Sequence, residues 1–167
     1  MAKHALCVGI NRYPGDISDL SGCVNDAMDW RELLTGRGFS AELLLDQDAT
    51  KERMVRSLRD HVSALPSQDL FVFTFSGHGS WIPDKDGDET DGRDECFCPF
   101  DVSDNHVLVD DELHQVFAVS VGRIVVIADS CHSGTATRFG PIDEASASLT
   151  SRTRFIPPSQ FLPASEL

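Results

Sequence analysis

The sequence predicts an α/β domain with a mainly parallel central sheet and helices on both faces. Three observations lead there. Short apolar runs alternate with segments of helical periodicity along the chain, which is the pattern of strand–helix–strand units with right-handed crossovers. Two of the runs, Leu70-Phe71-Val72-Phe73-Thr74-Phe75 and Ile124-Val125-Val126-Ile127-Ala128, are continuous rather than alternating, as expected of strands buried on both faces. Both end abruptly in polar residues: Ser76-Gly77-His78-Gly79 after the first, Asp129-Ser130-Cys131-His132-Ser133-Gly134 after the second. In such sheets the ligand lies beyond the carboxyl ends of the strands.

Taken in order, His4 to Ile10 reads as the first strand. Tyr13-Pro14-Gly15-Asp16 is turn chemistry. Ser21 is the expected N-cap of a helix running to about Thr35, with Val24, Ala27, Met28, Leu33 and Leu34 on its apolar face and Gly36 or Gly38 ending it. Phe39 to Leu45 is a second strand, and Thr50 caps a second helix over Lys51 to Leu65 that Pro66 closes. After the third strand, Gly77 to Pro99 reads as a long polar loop. Asp110 or Asp111 opens a short helix over Glu112 to Ala118, and Gly122 to Ala128 is the fourth strand. Residues 1–140 form the expected domain, and residues 141–167, rich in small residues and prolines, a poorly structured linker or tail.

The chain has 167 residues, enough for one domain, and a formal charge of −13 at pH 7. That charge argues against nucleic acid or an anionic membrane as partner and suits a cationic substrate or a divalent cation. A solvated acidic surface is the plain alternative. Met1-Ala2-Lys3-His4 leads straight into a strand with no signal peptide, and no apolar run reaches membrane-spanning length. The five cysteines are therefore expected to be reduced, in a cytoplasmic setting. Cys96 and Cys98 form a C-x-C pair without a second pair at zinc spacing, which argues against a structural zinc.

The two polar strand ends carry the chemistry. Side chains alternate along extended chain, so Ser76 and His78 face one way, as do Asp129 and Cys131. An imidazole can take the proton of a thiol and later return it to a leaving amine. Glycines flanking His78 let a substrate approach the backbone, and the N–H groups of Gly79 and Cys131 could hold an oxyanion. A buried structural cysteine beside a histidine in a glycine turn is the alternative. The pairing of both at matching strand ends favours catalysis.

These motifs together resemble the caspase-like cysteine peptidases, in particular the metacaspases. Cys131 follows His78 by 53 residues, the separation of caspase-type chains. Supporting matches are Gly9-Ile10-Asn11 with Tyr13, Cys23-Val24-Asn25-Asp26-Ala27, Asp94-Glu95, Pro99, Val109-Asp110-Asp111-Glu112 and Arg154-Phe155-Ile156-Pro157-Pro158. The resemblance implies the caspase–haemoglobinase three-layer sandwich, with Cys131 as nucleophile and His78 as general base and acid. It also implies cleavage of protein or peptide substrates after Arg or Lys. A pocket of Asp129 and Asp26, with Ser76 and Cys23 beside them, would attract a guanidinium or ammonium and repel aspartate. Asp129 could instead orient His78, and Asp26 could be a solvated helix-face charge.

The resemblance also implies calcium. No register of the run Asp84 to Asp94 places a glycine where an EF-hand needs one. Many metacaspases take calcium on carboxylates from separate loops, and Asp94, Asp110 and Asp111 match three of them. Position 138, where a fourth is expected, carries Arg138. Helix capping is the metal-free role for Asp110 and Asp111. Caspase-like folds usually add two further strands, so the partner list includes a small-subunit-like segment or a second copy. A large-subunit-like fragment, a naturally short form and half of an assembly all stay open. Arg138, Arg152 and Arg154 lie where such enzymes often process themselves. The competing reading is a catalytically weak caspase-like module acting as an adaptor or calcium-binding interaction domain.

Overall fold

The first strand, β1 (Lys3–Gly9), divides the core in two. Leu6 and Val8 point to one side of the sheet, Ala5 and Cys7 to the other, as the period of two requires. The computed structural model describes residues 1–17, 19–63, 65–85, 87, 89, 91–103, 106–130 and 154–166. After β1 come α1 (Cys23–Gly36), β2 (Ser40–Leu45), α2 (Lys51–Val62), β3 (Leu70–Ser76), β4 (Gly79–Pro83), β5 (Arg93–Phe97), β6 (Leu108–Val109), α3 (Asp110–Phe117) and β7 (Arg123–Asp129).

Strands β2-β1-β3-β7 form one wholly parallel sheet in that order. Helix α1 covers one face, where Ala27 and Leu34 pack with Ala5, Cys7 and Val72. Helices α2 and α3 cover the other, where Met54, Leu58, Val62, Leu113 and Val116 meet Leu6, Val8 and the phenylalanines of β3. Phe71, Phe73 and Phe75 are almost fully buried there. This is the caspase–haemoglobinase-like α/β sandwich, helix layers on both faces of a mainly parallel sheet.

Three elements differ from the sequence-based expectation. The N-cap of α1 is Gly22 rather than Ser21, with no side-chain cap; its φ of 102° is left-handed backbone that a glycine adopts without strain. Helix α2 begins after Thr50 as expected, the Thr50 side chain accepting the Arg53 N–H, but its last helical residue is Val62 rather than Leu65. The stretch Gly77 to Pro99 is not one loop. Its flanks pair as the antiparallel hairpin β4–β5, which β6 extends to a second, three-stranded sheet. The acidic middle of the stretch masked two short strands whose Trp81, Ile82, Cys96 and Phe97 carry ordinary strand character.

Residues 154–166, within the segment read as a tail, pack back on the domain. Phe155 makes a parallel bridge with Gly79, and Ile156, 1% exposed, joins the larger core. Short 3-10 helices follow at Pro158–Gln160 and Ala164–Glu166. Among the described residues no helix is long and apolar enough to cross a membrane.

One close approach sets the position of α1. A Cβ on Gly9 would lie 2.4 Å from the Cys23 carbonyl oxygen and 2.7 Å from the Ala27 Cβ. Gly9→Ala is therefore expected to lower stability by about 1–3 kcal/mol through overpacking. The midpoint of urea unfolding measures it, and an unchanged midpoint would refute the account.

Candidate active site

Parallel register lines up the carboxyl ends of three strands. Gly9 pairs with Ser76, and Ser76 with Asp129, so these residues lie in one row across the sheet. Helix α1 begins directly over Gly9, which brings Cys23 and, one turn on, Asp26 against the same row. The Ser76 hydroxyl donates to Asp26 Oδ2 at 2.9 Å. The structure thus brings Cys23, Asp26, Ser76 and Asp129 together. Cys23 is fully buried, and burial pushes its thiol pKa up, so it remains a neutral thiol at pH 7.

A residue from the far end of the chain fills this cluster. Arg154 Nη2 donates to Asp26 Oδ2 at 2.9 Å, and Nη1 donates to Ser76 Oγ at 2.8 Å and to the Asp129 carbonyl at 3.0 Å. Nη1 also pairs with the Asp129 carboxylate. Burial works against the charge, but the hydrogen bond to Asp26 and the charges of Asp129 and Asp26 outweigh it, and the Arg154 pKa ends above its usual value. The backbone of Arg154 is held as well: its carbonyl accepts the Gly79 N–H at 2.8 Å. Gly79 in turn accepts the Ile156 N–H at 3.0 Å, and Ser80 Oγ donates to the Ile156 carbonyl at 2.6 Å. In the sequence Arg154 stands in a motif shared with the metacaspases and among the possible processing positions, with no link to the pocket. Its place beside the two aspartates has no local signal, because the contacts with Asp26 and Asp129 join positions 128 and 25 residues apart.

His78 lies between the end of β3 and the start of β4, with 2% of its surface exposed. Its N–H donates to Tyr13 Oη at 3.0 Å, its carbonyl accepts the Cys98 N–H at 3.0 Å, and the Tyr13 ring packs 4.8 Å from the imidazole, centroid to centroid. The expected nucleophile and second oxyanion donor, Cys131, lies outside the described residues, as do Arg138 and Arg152. Of the described cysteines, Cys7, Cys23, Cys96 and Cys98 are free and buried.

The three carboxylates expected to bind calcium lie in the second sheet and at its margin. Asp94 is on β5, and Asp110 and Asp111 open α3 directly after β6. The antiparallel pairing of Cys96 with Val109 carries them to the same end of that sheet. Asp110 Oδ1 accepts the Asp111 N–H at 3.1 Å, a local contact in the first turn of the helix. Among the described residues no three His, Cys, Asp or Glu side chains come together as a metal site. Calcium takes about six to eight oxygen ligands, so an ion at this end of the sheet would need donors beyond these three carboxylates.

The arrangement can be compared with known proteins. A family profile described as "Metacaspase, peptidase C14 domain" matches residues 3–139. "Metacaspase-1" of Cryptococcus neoformans var. neoformans serotype D (strain JEC21) is 40% identical over 148 residues, covering 80% of this chain and 32% of the relative. "Metacaspase-4" of Arabidopsis thaliana is 39% identical over 165 residues, covering 92% of this chain and 38% of the relative. The crystal structure of a Geobacter sulfurreducens protein superposes with a TM-score of 0.77 at 32% identity, over 95% of this chain and 59% of the other. The chain spans about a third of the length of these two curated relatives. With the profile match running through most of the sequence and the strand ends arranged as above, the chain belongs to the metacaspase family.

Proposed function

We propose that this chain is the catalytic part of a cysteine endopeptidase of the caspase-like kind that hydrolyses peptide bonds after Arg or Lys. The observation that carries the specificity is the guanidinium of Arg154, held by Asp26, Asp129 and Ser76. A pocket with two carboxylates and a hydroxyl offers charge-assisted hydrogen bonds to a cationic side chain and repels an acidic one. The charge of −13 would draw basic peptides toward it.

In the proposed reaction His78 accepts the proton of Cys131, and the thiolate attacks the carbonyl carbon of the Arg or Lys residue. The N–H of Gly79, with that of Cys131, stabilises the oxyanion that forms. The C–N bond breaks as the imidazolium gives its proton to the leaving amine. Water, activated by His78, then hydrolyses the thioester. Substrates are proteins or peptides, and the setting is cytoplasmic, in line with reduced thiols. Val125 and Val126 of β7 are 43% and 44% exposed, which supports the expectation that a small-subunit-like segment or a second copy adds to this sheet.

Asp129→Ala and Asp26→Asn should each cut kcat/KM on Arg-ending reporter peptides by about ten- to hundredfold, the worth of a charge-assisted hydrogen bond, with the circular dichroism spectrum unchanged. Retained cleavage in both would remove the pocket assignment. Cys131→Ala should abolish turnover.

Arg154 also bears on self-processing. Its side chain sits in the proposed pocket while its carbonyl accepts from the proposed oxyanion donor, which makes Arg154–Phe155 the bond proposed for self-cleavage. Replacing it with alanine should lower KM for Arg reporters by about tenfold, because substrate no longer competes with a tethered guanidinium. Equal KM values would count against occupancy. Mass spectrometry of the incubated chain, beside Cys131→Ala, reads the cut itself.

Calcium stimulation belongs to the proposal through the family resemblance and through the shared location of Asp94, Asp110 and Asp111. Calorimetry should give a calcium-binding heat that Asp110→Asn removes. No heat at millimolar calcium would end that part of the reading.

A further inference from the structure

Tyr13 takes no part in the chemistry described so far, yet it touches the proposed base twice. Its hydroxyl accepts the His78 N–H at 3.0 Å and donates to the Cys98 carbonyl at 3.1 Å, while the Cys98 N–H donates to the His78 carbonyl at 3.0 Å. These three bonds close a ring around the His78 backbone. A hydroxyl oxygen can both accept and donate through one atom, which a phenyl ring in its place cannot. We propose that Tyr13 is a positioning residue that holds the His78 backbone and imidazole in place for proton transfer, an inference that rests on the peptidase reading above.

Four observations carry it. First, His78 stands where the chain leaves the parallel sheet and enters the antiparallel one, so neither ladder alone fixes its orientation. The ring of bonds ties the end of β3 to Cys98, just beyond β5, through a side chain of the β1–α1 loop. Second, the tyrosine ring packs against the imidazole at 4.8 Å and a tilt of 54°, which limits rotation of the base. Burial also keeps the hydroxyl protonated, raising its pKa well above that of a free tyrosine, so the donor is present at any working pH.

Third, the loop that carries Tyr13 is pinned independently. Asp19 accepts the Tyr13 N–H at 3.2 Å, and Asp46 Oδ1 accepts the N–H groups of Asn11 and Arg12 at 2.8 and 2.9 Å. Asp46 does this from left-handed backbone, φ 45°, a conformation an aspartate holds only at some cost. Fourth, a Cβ on Gly77 would lie 2.9 Å from the Tyr13 hydroxyl and 2.9 Å from the Phe75 ring. The glycine before the base is therefore the residue that lets this hydroxyl reach the His78 N–H.

The test uses the full chain and Arg and Lys reporter peptides. Tyr13→Phe keeps the ring and removes the hydroxyl. It should lower kcat by about ten- to hundredfold with KM within about twofold of wild type, as for a base displaced by a fraction of an ångström to an ångström. A merely structural residue would lower the active fraction and the melting temperature without altering kcat per active site, so sites are counted by titration with an iodoacetamide-type thiol reagent. Gly77→Ala should lower kcat similarly in wild type and by clearly less in the Tyr13→Phe background, because the clash with the hydroxyl is then gone. Should Tyr13→Phe prove too unstable to assay, 3-fluorotyrosine at Tyr13, the chain's one tyrosine, keeps the ring and weakens the hydroxyl as an acceptor; kcat per site should fall, and an unchanged kcat overturns the inference. Turnover in wild type with an unchanged kcat per site in Tyr13→Phe, or additive losses in the double variant, overturns this inference alone. No turnover of either reporter by wild type overturns the peptidase reading and this inference with it.

Discussion

The site depends on one row of residues across the parallel sheet. Gly9, Ser76 and Asp129 are neighbours because β1, β3 and β7 pair in a single register. A slip of one residue in any of these pairings would turn Ser76 or Asp129 to the opposite face and put an apolar neighbour in its place. The register is held by the buried phenylalanines of β3, which must face the α2–α3 side, and by Ala5, Cys7 and Val72, which must face α1. Burial of apolar side chains on two faces thus decides where the polar ends of the strands stand. The site needs no ion pair to hold the sheet together.

That ordering of causes matches the magnitudes. The contacts of Arg154 with Asp26 and Asp129 are partly open to solvent: the three side chains are 21%, 37% and 61% exposed. Ion pairs of this exposure contribute little to stability once screening and side-chain entropy are counted. They do select strongly for the sign of the charge they meet. The cluster is therefore not a brace for the fold, and the recognition role proposed for it asks only that the sheet beneath be rigid. Gly9 serves the same end, since only a residue without Cβ lets the first turn of α1 bring Asp26 against Ser76.

Much of this was legible in the sequence. The four parallel strands and the three helices follow from apolar runs and helical spacing, and the polar strand ends at Ser76–Gly79 and Asp129 stand out as soon as the strands are drawn. Family resemblance groups Cys23, Asp26, Ser76 and Asp129, and register and one glycine bring them together in the structure. The small antiparallel sheet was hidden because its strands are short and flank an acidic turn, so composition outweighed period. The place of Arg154 and the hydroxyl of Tyr13 were hidden for a different reason. Each acts through tertiary hydrogen bonds between distant positions, for which neither periodicity nor spacing leaves a trace.

The antiparallel sheet has a physical consequence for the site. A parallel strand that simply ended at Ser76 would leave the backbone beyond it to solvent, and a histidine there would sample many orientations. Here the chain passes within three residues from one ladder to the other, from Ser76 in β3 to Gly79 in β4. Gly79 pairs with Phe97 on one side and bridges to Phe155 on the other. The backbone N–H of Gly79 is thereby fixed in direction, and it donates to the carbonyl of Arg154, the residue whose guanidinium lies between Asp26 and Asp129. A donor already fixed in direction costs no reorganisation when charge develops on an oxygen before it, the condition under which a backbone amide is most useful to acyl transfer. The second sheet therefore contributes to the site by holding one peptide group still.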